Sequence, residues 1–223
     1  MKILAFDTST KYLSIALADD KGIAAEFHED VGIRHSEMLV PEISTLLSKT
    51  GWSVRDIDLL CPGLGPGSFT GLRIGVVTCK GIAAVTRCPV KGVVSFDAML
   101  SKVPETAQRV CPLIDARKGK VYAGLYEKRE NEYVRQALPA LLEVDDLAGR
   151  IEKRTLCFGD GISRYSGKLK KIPNIVIDDG IDWYPRASEI ALIGRDLSGK
   201  GSDDPAGLDP LYLYSRECSI TNR

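Results

Sequence analysis

The sequence has no excess of either charge, because its 30 lysines and arginines balance 30 aspartates and glutamates. A neutral chain has no overall field that concentrates nucleic acid or anionic lipid, so any RNA must be held by a local patch or by a partner. No apolar run approaches the ~20 residues of a membrane span, and the apolar stretch in MKILAFDTST is too short for a signal peptide. These absences favour a cytoplasmic protein without membrane contact.

Histidine is scarce and cysteine is scattered. The two histidines, His28 and His35, are not four residues apart, so the H-E-x-x-H zinc motif is missing, and no G-x-S-x-G elbow accompanies them. None of the six cysteines forms a C-x-x-C pair, and most lie in apolar segments, so we expect buried, reduced thiols. The sequence predicts neither a metal site nor a catalytic residue.

Apolar runs and helical periodicities alternate along the chain in two similar series. Each series predicts the order βββαβαβα, and each first strand ends in an aspartate, Asp7 or Asp115. Chance alternation is one explanation. The other is an α/β fold of two half-domains, 1–104 and 105–223, as in the duplicated actin-like ATPase architecture of sugar kinases, Hsp70 and actin. The pattern leaves open whether the last residues return to the first half. The predicted strands are 2–6, 12–18, 22–29, 57–61, 89–96, 110–115, 120–127, 132–136, 155–158 and 174–178, and the predicted helices are 36–49, 68–86, 96–102, 145–153, 162–170 and 187–199.

The segment GLGPGSFTGLRIG, residues 63–75, is rich in glycine but matches neither G-x-x-x-x-G-K-[ST] nor G-x-G-x-x-G. Ser68 predicts the N-cap of a helix that begins at Phe69. That helix is apolar nearly all round, so it must be covered on nearly all sides. Because each glycine destabilises a helix by about 1 kcal/mol relative to alanine, the glycines indicate a close backbone approach. The covering element is either a partner protein or the rest of this chain.

Three short polar segments occupy positions where a nucleotide could be held. DTST (7–10) lies where actin-like ATPases place a phosphate loop of the form D-x-G-[ST], but Thr8 and Ser9 replace the flexible positions. DARKG (115–119) and the GDG turn (159–161) follow strands of the second series. Two weakened loops argue against independent ATP hydrolysis. Either a residual nucleotide contact remains, or Asp7 and Ser9 close a turn by hydrogen bonds. The residues for a residual contact are Asp7, Thr8, Ser9, Asp115, Gly159 and Gly161.

Six segments together carry a family resemblance over the whole chain. DTST, RHSEMLVPEI, GLGPGSFTGLRIG, DARKGKVYAGLY, GDG and DPLYLYSRE, in this order, resemble the TsaB (YeaZ) family. That family is the dimerisation subunit of the bacterial machinery that makes threonylcarbamoyladenosine on tRNA. GPGSFTGLRIG is the most specific of the six.

The resemblance implies an actin-like ATPase fold and a subunit without catalysis of its own. It implies pairing with the paralogous catalytic subunit TsaD, cooperation with the ATPase TsaE, a homodimer when alone, and tRNA contact only through the complex. It implies no cofactor of its own and leaves open ATP or ADP at the interface of the complex. The alternative is an actin-like kinase or ATPase for a small metabolite, with Asp7 and Asp115 around a magnesium nucleotide.

The resemblance also implies which helices associate. The catalytic paralogue carries H-x-E-G-H on a metal-binding helix, whereas this chain has Met38 and Leu39 after Glu37, so one ligand is missing. The helices at about 36–48 and 67–85 would form the association surface instead. Its expected residues are His35, Ser36, Leu39, Ile43, Gly67, Phe69, Thr70, Gly71, Leu72, Arg73, Gly75 and Val76.

Overall fold

The computed structural model describes residues 1–178 and 183–213, which form two compact units. The first unit joins residues 1–103 to residues 183–210, and the remaining described residues form the second. Residues 183–210 lie inside the predicted C-terminal half-domain, 105–223, but cluster with the first unit. The last ten residues lie outside the described residues, so the structure does not test whether they return to the first half.

The strands and helices follow in chain order. The predicted helices at 36–49, 68–86, 162–170 and 187–199 are confirmed. The α-helices are α1 (His35–Thr50), α2 (Phe69–Thr86), α3 (Asp160–Leu169) and α4 (Ala187–Ser198), with shorter 3₁₀ segments at Val54–Asp56, Asp97–Lys102 and Val144–Gly149. The strands are β1 (Ile3–Asp7), β2 (Tyr12–Asp19), β3 (Gly22–Asp30), β4 (Leu59–Pro62), β5 (Arg109–Asp115), β6 (Lys120–Ala123), β7 (Tyr126–Arg129), β8 (Glu132–Arg135), β9 (Ala140–Glu143), β10 (Thr155–Phe158) and β11 (Ile175–Ile177).

The sheet of the first unit is built around β1. Its order is β3-β2-β1-β4, with β1 antiparallel to β2 and parallel to β4. The predicted strand 89–96 is reduced to single parallel bridges, Val90 beside Leu60 and Val93 beside Gly63. The ladder is interrupted between these bridges because Pro62 has no N–H to donate.

The two faces of this sheet are covered by different helices. Alternate residues of β1 point to opposite faces, so Leu4 and Phe6 lie on one and Ile3 and Ala5 on the other. Helices α1 and α2 pack on the first face. Helix α4 packs on the second, where small residues of β1 and β2 allow a close approach, and this packing places α4 in the first unit. The α4 side of this core contains Ala187, Ile190 and Ala191.

The outer edge of this sheet is closed by the segment after α4. The backbone N–H of Asp203 donates to the Val90 carbonyl oxygen at 2.8 Å, and its carboxylate accepts from the Gly92 N–H at 2.9 Å. Leu208 is buried in the core a few residues later. We call residues 203–208 the edge strap.

The sheet of the second unit repeats the pattern of the first. Its order is β11-β10-β5-β6-β9, with antiparallel neighbours on one side of β5 and parallel strands on the other. The β7–β8 hairpin joins β5 near its beginning. Each unit therefore has a central strand whose antiparallel neighbours precede its parallel one in sequence, as expected for a duplicated α/β fold.

Three details of the second unit differ from the prediction. The predicted strand 120–127 is divided into β6, which ends at Ala123, and β7, which begins at Tyr126. The Gly124 N–H donates to the Pro112 carbonyl oxygen at 3.3 Å, but Pro112 has no N–H to return the bond. The predicted helix 145–153 is a 3₁₀ segment that ends at Gly149. Strand β9 was not predicted, since ALLE contains no β-branched or aromatic residue.

The cysteines behave as small buried hydrophobic residues. Burial raises the pKa of Cys79 to about 12, so its thiol stays uncharged at neutral pH. The prediction of reduced, buried thiols is confirmed for the five described cysteines, which are Cys61, Cys79, Cys88, Cys111 and Cys157. Cys218 lies outside the described residues.

Replacement of Ile190 by alanine tests the assignment of α4. Ile190 is fully buried in the first unit, so its truncation removes packing worth about 2–5 kcal/mol. We expect Ile190→Ala to accelerate amide hydrogen exchange in β1 and β2, as measured by NMR. The matched change in the second unit, Leu169→Ala, should act on β5 and β10 instead. Faster exchange in β10 but not in β1 of the Ile190→Ala protein would contradict the assignment.

Candidate protein-interaction site

Asp7 is the last residue of β1, and its buried carboxylate accepts hydrogen bonds from Ser9 and Ser95. Its Oδ1 accepts from the Ser9 N–H at 2.8 Å and from the Ser9 hydroxyl at 2.6 Å. Its Oδ2 accepts from Ser95 Oγ at 2.5 Å, and Ser95 Oγ accepts from the Gly65 N–H at 2.9 Å. Burial raises the pKa of the Asp7 carboxyl, while the hydrogen bonds from Ser9 and Ser95 oppose that shift. The predicted turn closed by Asp7 and Ser9 is confirmed.

Residues 7–10, which we call the DTST loop, bind the start of α2. Thr8 Oγ1 donates to the Gly71 carbonyl oxygen at 2.8 Å, and the Ser68 N–H donates to the Ser9 carbonyl oxygen at 2.6 Å. Ser68 Oγ accepts from the Gly71 N–H at 3.2 Å, which confirms Ser68 as the N-cap. The whole loop is buried. The first turn of α2 is therefore fixed to β1 by hydrogen bonds from both segments.

Three glycines bring α2 against this loop. A Cβ at Gly71 would overlap the Thr8 carbonyl oxygen, and a Cβ at Gly67 would overlap the Ser9 carbonyl oxygen. At Gly75, a Cβ would lie 2.5 Å from Thr8 Oγ1. At Gly71 and Gly75 the close approach that the glycines predict is made by Thr8, a residue of this chain.

The DTST loop does not fit a nucleotide phosphate. A phosphate loop of this fold needs a carboxylate that is free for the metal and backbone N–H groups that face the ligand. Here both Asp7 carboxylate oxygens are hydrogen-bonded within the chain, and a Cβ at Gly63 would overlap that carboxylate. The predicted residual nucleotide contact at Asp7, Thr8 and Ser9 therefore has no support in this geometry.

The corresponding loop of the second unit is more open. Asp115 Oδ1 accepts from the Arg117 N–H at 2.8 Å and from the Tyr165 hydroxyl at 3.1 Å, and Arg164 Nη1 lies 3.6 Å from Asp115 Oδ2. Asp160 Oδ1 accepts from the Asp115 N–H at 2.8 Å, so β5 and the start of α3 are joined at this edge. A nucleotide contact at Asp115 stays a prediction.

The two glycines of the GDG turn have a packing role in the second unit. A Cβ at Gly159 would overlap the Leu113 carbonyl oxygen, and a Cβ at Gly161 would lie 3.2 Å from it. Gly159 also has a φ of 111°, which other residues rarely adopt. These contacts bring the first turn of α3 against β5.

Helix α2 has a second face that its own unit does not cover. Leu72, Val76 and Cys79 form a buried stripe against the core, and the side chains on the opposite side are exposed. Phe69 is 48%, Val77 67% and Val85 77% exposed. The exposed α2 face consists of Phe69, Thr70, Arg73, Val77, Ala84 and Val85.

The exposed α2 face combines large apolar side chains with one cation. The Arg73 guanidinium lies 3.8 Å from the centre of the Phe69 ring, a cation–π arrangement. No residue of α2 is acidic. The neighbouring helix α1, which contacts α2, adds the exposed Val40. Apolar groups with an aromatic residue and an arginine are typical of the centre of a protein interface.

The predicted association surface contains both exposed and buried residues. Four of its members are exposed: Ser36, Phe69, Thr70 and Arg73. The others are buried within the first unit, where they fill the core or touch the DTST loop. They are His35, Leu39, Ile43, Gly67, Gly71, Leu72, Gly75 and Val76.

The exposure of Val77 and Val85 does not follow from the sequence pattern, because α2 is apolar on both sides and periodicity alone cannot distinguish its inner side from its outer side. The small residues could have done so. Gly71 and Gly75 lie on the same side as Leu72, and glycines mark the side where a backbone comes close.

His35 has a structural role at the start of α1. It is buried, and its Nε2 lies 3.3 Å from the Tyr12 carbonyl oxygen. Within residues 1–178 and 183–213, no three side chains of His, Cys, Asp or Glu come together as metal ligands.

Helix α2 is also the one helix among the described residues with the length and mean hydropathy of a membrane span. This is weak evidence for a span, since core helices pass the same test and a third of its residues are buried in the first unit. Its hydrophobicity is explained by a buried stripe on one side and the exposed α2 face on the other.

The fold is that of the actin-like ATPases, with a first loop closed on itself and a helix face left uncovered. Residues 23–166 match the family model described as TsaD, tRNA N6-adenosine threonylcarbamoyltransferase. The tRNA threonylcarbamoyladenosine biosynthesis protein TsaB of Bacillus subtilis is 30% identical over 97% of this chain and 96% of its own length. The protein of the same name from Escherichia coli is 31% identical over 96% and 94%.

A solved structure is similar as well. YeaZ from Pseudomonas aeruginosa has a TM-score of 0.80 at 27% identity and covers 95% of this chain and 99% of its own. The chain belongs to the TsaB family, whose named members are tRNA threonylcarbamoyladenosine biosynthesis proteins.

Two glycine-to-alanine changes in α2 test the role of the DTST loop. Gly71→Ala should destabilise the protein by about 1–3 kcal/mol, because its Cβ would overlap the Thr8 carbonyl oxygen. Gly81→Ala is the matched control, since nothing lies within 4 Å of its Cβ. It should stabilise by about 0.5–1 kcal/mol through helix propensity. Urea unfolding measures both changes, and equal effects would show that Gly71 does not touch the loop.

Proposed function

We propose that this chain is a non-catalytic subunit of the machinery that makes N6-threonylcarbamoyladenosine on tRNA. Through the exposed α2 face it pairs with a TsaD-like paralogue, which carries out the transfer. A TsaE-like ATPase works with the pair. The chain forms a homodimer when alone, meets tRNA only through the complex, and acts in the cytoplasm without membrane contact.

The observation that carries this proposal is the exposed α2 face. Phe69, Val77 and Val85 stay in water although they lie on an 18-residue helix whose other side is in the core. Their transfer out of water is favourable by roughly 25 cal/mol per Å² of apolar surface. Specific interfaces hide about 800 Å² per partner, which α1 and α2 together are long enough to supply. A face of this kind is a typical protein-binding surface.

The proposed lack of catalysis is supported by the DTST loop. The Asp7 carboxylate is occupied by Ser9 and Ser95, so it is not available for a magnesium nucleotide. This observation disfavours the small-metabolite kinase, which needs Asp7 at its centre. We propose that the chain has no cofactor of its own and that any ATP or ADP binds at the interface of the complex.

A charge placed on the exposed α2 face should abolish pairing. Val77→Glu puts a carboxylate into the centre of the interface, and the cost of removing this charge from water would weaken binding by at least tenfold. The 67% exposure of Val77 means that the isolated chain should unfold at the wild-type temperature. Calorimetric titration with the TsaD-like protein, and sedimentation of the chain alone, measure the loss.

The matched control for this experiment is Leu138→Glu. Leu138 is 74% exposed in the second unit, so the same charge is added to a comparable exposed apolar position outside α2. It should leave pairing unchanged. Equal binding by Val77→Glu and wild type would place the interface elsewhere.

ATP hydrolysis by the purified chain tests the proposed lack of catalysis. We expect no turnover above the buffer blank, because the Asp7 carboxylate is already hydrogen-bonded on both oxygens. Release of phosphate is measured over hours with magnesium present. Steady turnover that Asp7→Ala abolishes would favour the kinase or ATPase instead.

A further inference from the structure

We propose that the DTST loop is a clamp that sets the position of α2, with Thr8 as its central positioning residue. This inference rests on the proposed function, because it concerns how the pairing surface is held. The loop lies where the fold places a phosphate loop, but its polar groups are directed at α2 of the same chain.

The contacts of Thr8 occupy two successive turns of α2. Its hydroxyl donates to the Gly71 carbonyl oxygen at 2.8 Å, and the absent side chain of Gly75 leaves room for the same hydroxyl. Its own carbonyl oxygen fills the space that a side chain at Gly71 would take. Thr8 therefore fixes both the rotation of α2 about its axis and the distance of α2 from β1.

The rotation of α2 decides which side chains reach a partner. Residues four apart lie on one side of a helix, so Phe69, Arg73 and Val77 share a side of α2. They belong to the same turns as Gly71 and Gly75, which contact Thr8. The loop and the exposed α2 face are on opposite sides of the same turns. A change at Thr8 should therefore alter pairing without touching any residue of that face.

The anchor of the clamp is Asp7. Its carboxylate holds Ser9 on one side and Ser95 on the other, and Ser95 receives the Gly65 N–H just before α2 begins. The entry of the chain into α2 is thus tied to β1 at both the Gly65 and the Ser68 N–H groups. The network leaves the loop with the geometry of a closed turn.

Thr8→Val tests the clamp, because valine keeps the shape of threonine and removes the donor to Gly71. We expect faster hydrogen exchange at the amides of Ser68 and Gly71, and pairing with the TsaD-like protein weaker by about fivefold to tenfold. Thr8→Ser keeps the hydroxyl, so its amide exchange rates and its pairing affinity should stay close to those of the wild type. Pairing as tight as wild type in Thr8→Val would overturn the proposal.

Thr155→Val is the matched control. Thr155 is also buried, and its hydroxyl donates to a backbone carbonyl, that of Lys153, at 2.8 Å in the second unit. It should leave pairing and the exchange of Ser68 unchanged. An equal loss of pairing in Thr155→Val would show that general destabilisation is the cause and would overturn the clamp.

Two further measurements separate the clamp from the proposed function. If the wild-type chain does not pair with the TsaD-like protein, the proposed function fails, and the exchange rates of Thr8→Val then decide alone whether Thr8 holds α2. Magnesium ATP is the probe for the rival role of the loop. We expect no shift of the Thr8 and Ser9 amide signals on its addition, whereas a saturable shift would overturn the clamp.

Discussion

The close approach of α2 to the end of β1 is the contact on which the first unit depends. It needs glycine at Gly67, Gly71 and Gly75, because a Cβ at any of them would meet the DTST loop. It also needs Asp7 and Thr8 to direct their polar groups inward. The same contact explains why one side of α2 is in the core, why the other side is left in water, and why the first loop does not suit a phosphate.

A carboxylate at the end of the first strand is thus used differently here from its use in a nucleotide-binding relative of the fold. In an ATPase it must stay accessible to a hydrated metal ion, which calls for an open loop. In this chain the Asp7 carboxylate accepts hydrogen bonds from the Ser9 and Ser95 hydroxyls instead, and burial raises the pKa of the Asp7 carboxyl. The end of the first strand therefore supports a helix in this chain.

The sequence allowed the class of fold, the helices α1 to α4 and most of the strands to be predicted, since apolar periodicity carries that information. It did not allow α4 to be assigned to the first unit, because its apolar stripe would suit either sheet, and only the small residues of β1 and β2 decide the match. The segment GLGPGSFTGLRIG was correctly read as a close approach of backbones. The sequence left open which backbone approaches, because a glycine indicates a close contact but does not identify the contacting segment. The exposure of Val77 could not be derived for the related reason that both sides of α2 are apolar.

The edge strap has a consequence for how the chain can join another. A sheet whose border strand is bare can recruit a foreign strand, with aggregation as the usual result. On one border, Asp203 hydrogen-bonds to the Val90 carbonyl oxygen and the Gly92 N–H. At the other border, Glu29 and the Lys11–Asp30 ion pair place exposed charged groups along β3. Strand-to-strand recruitment is thereby discouraged at both borders of the sheet of the first unit.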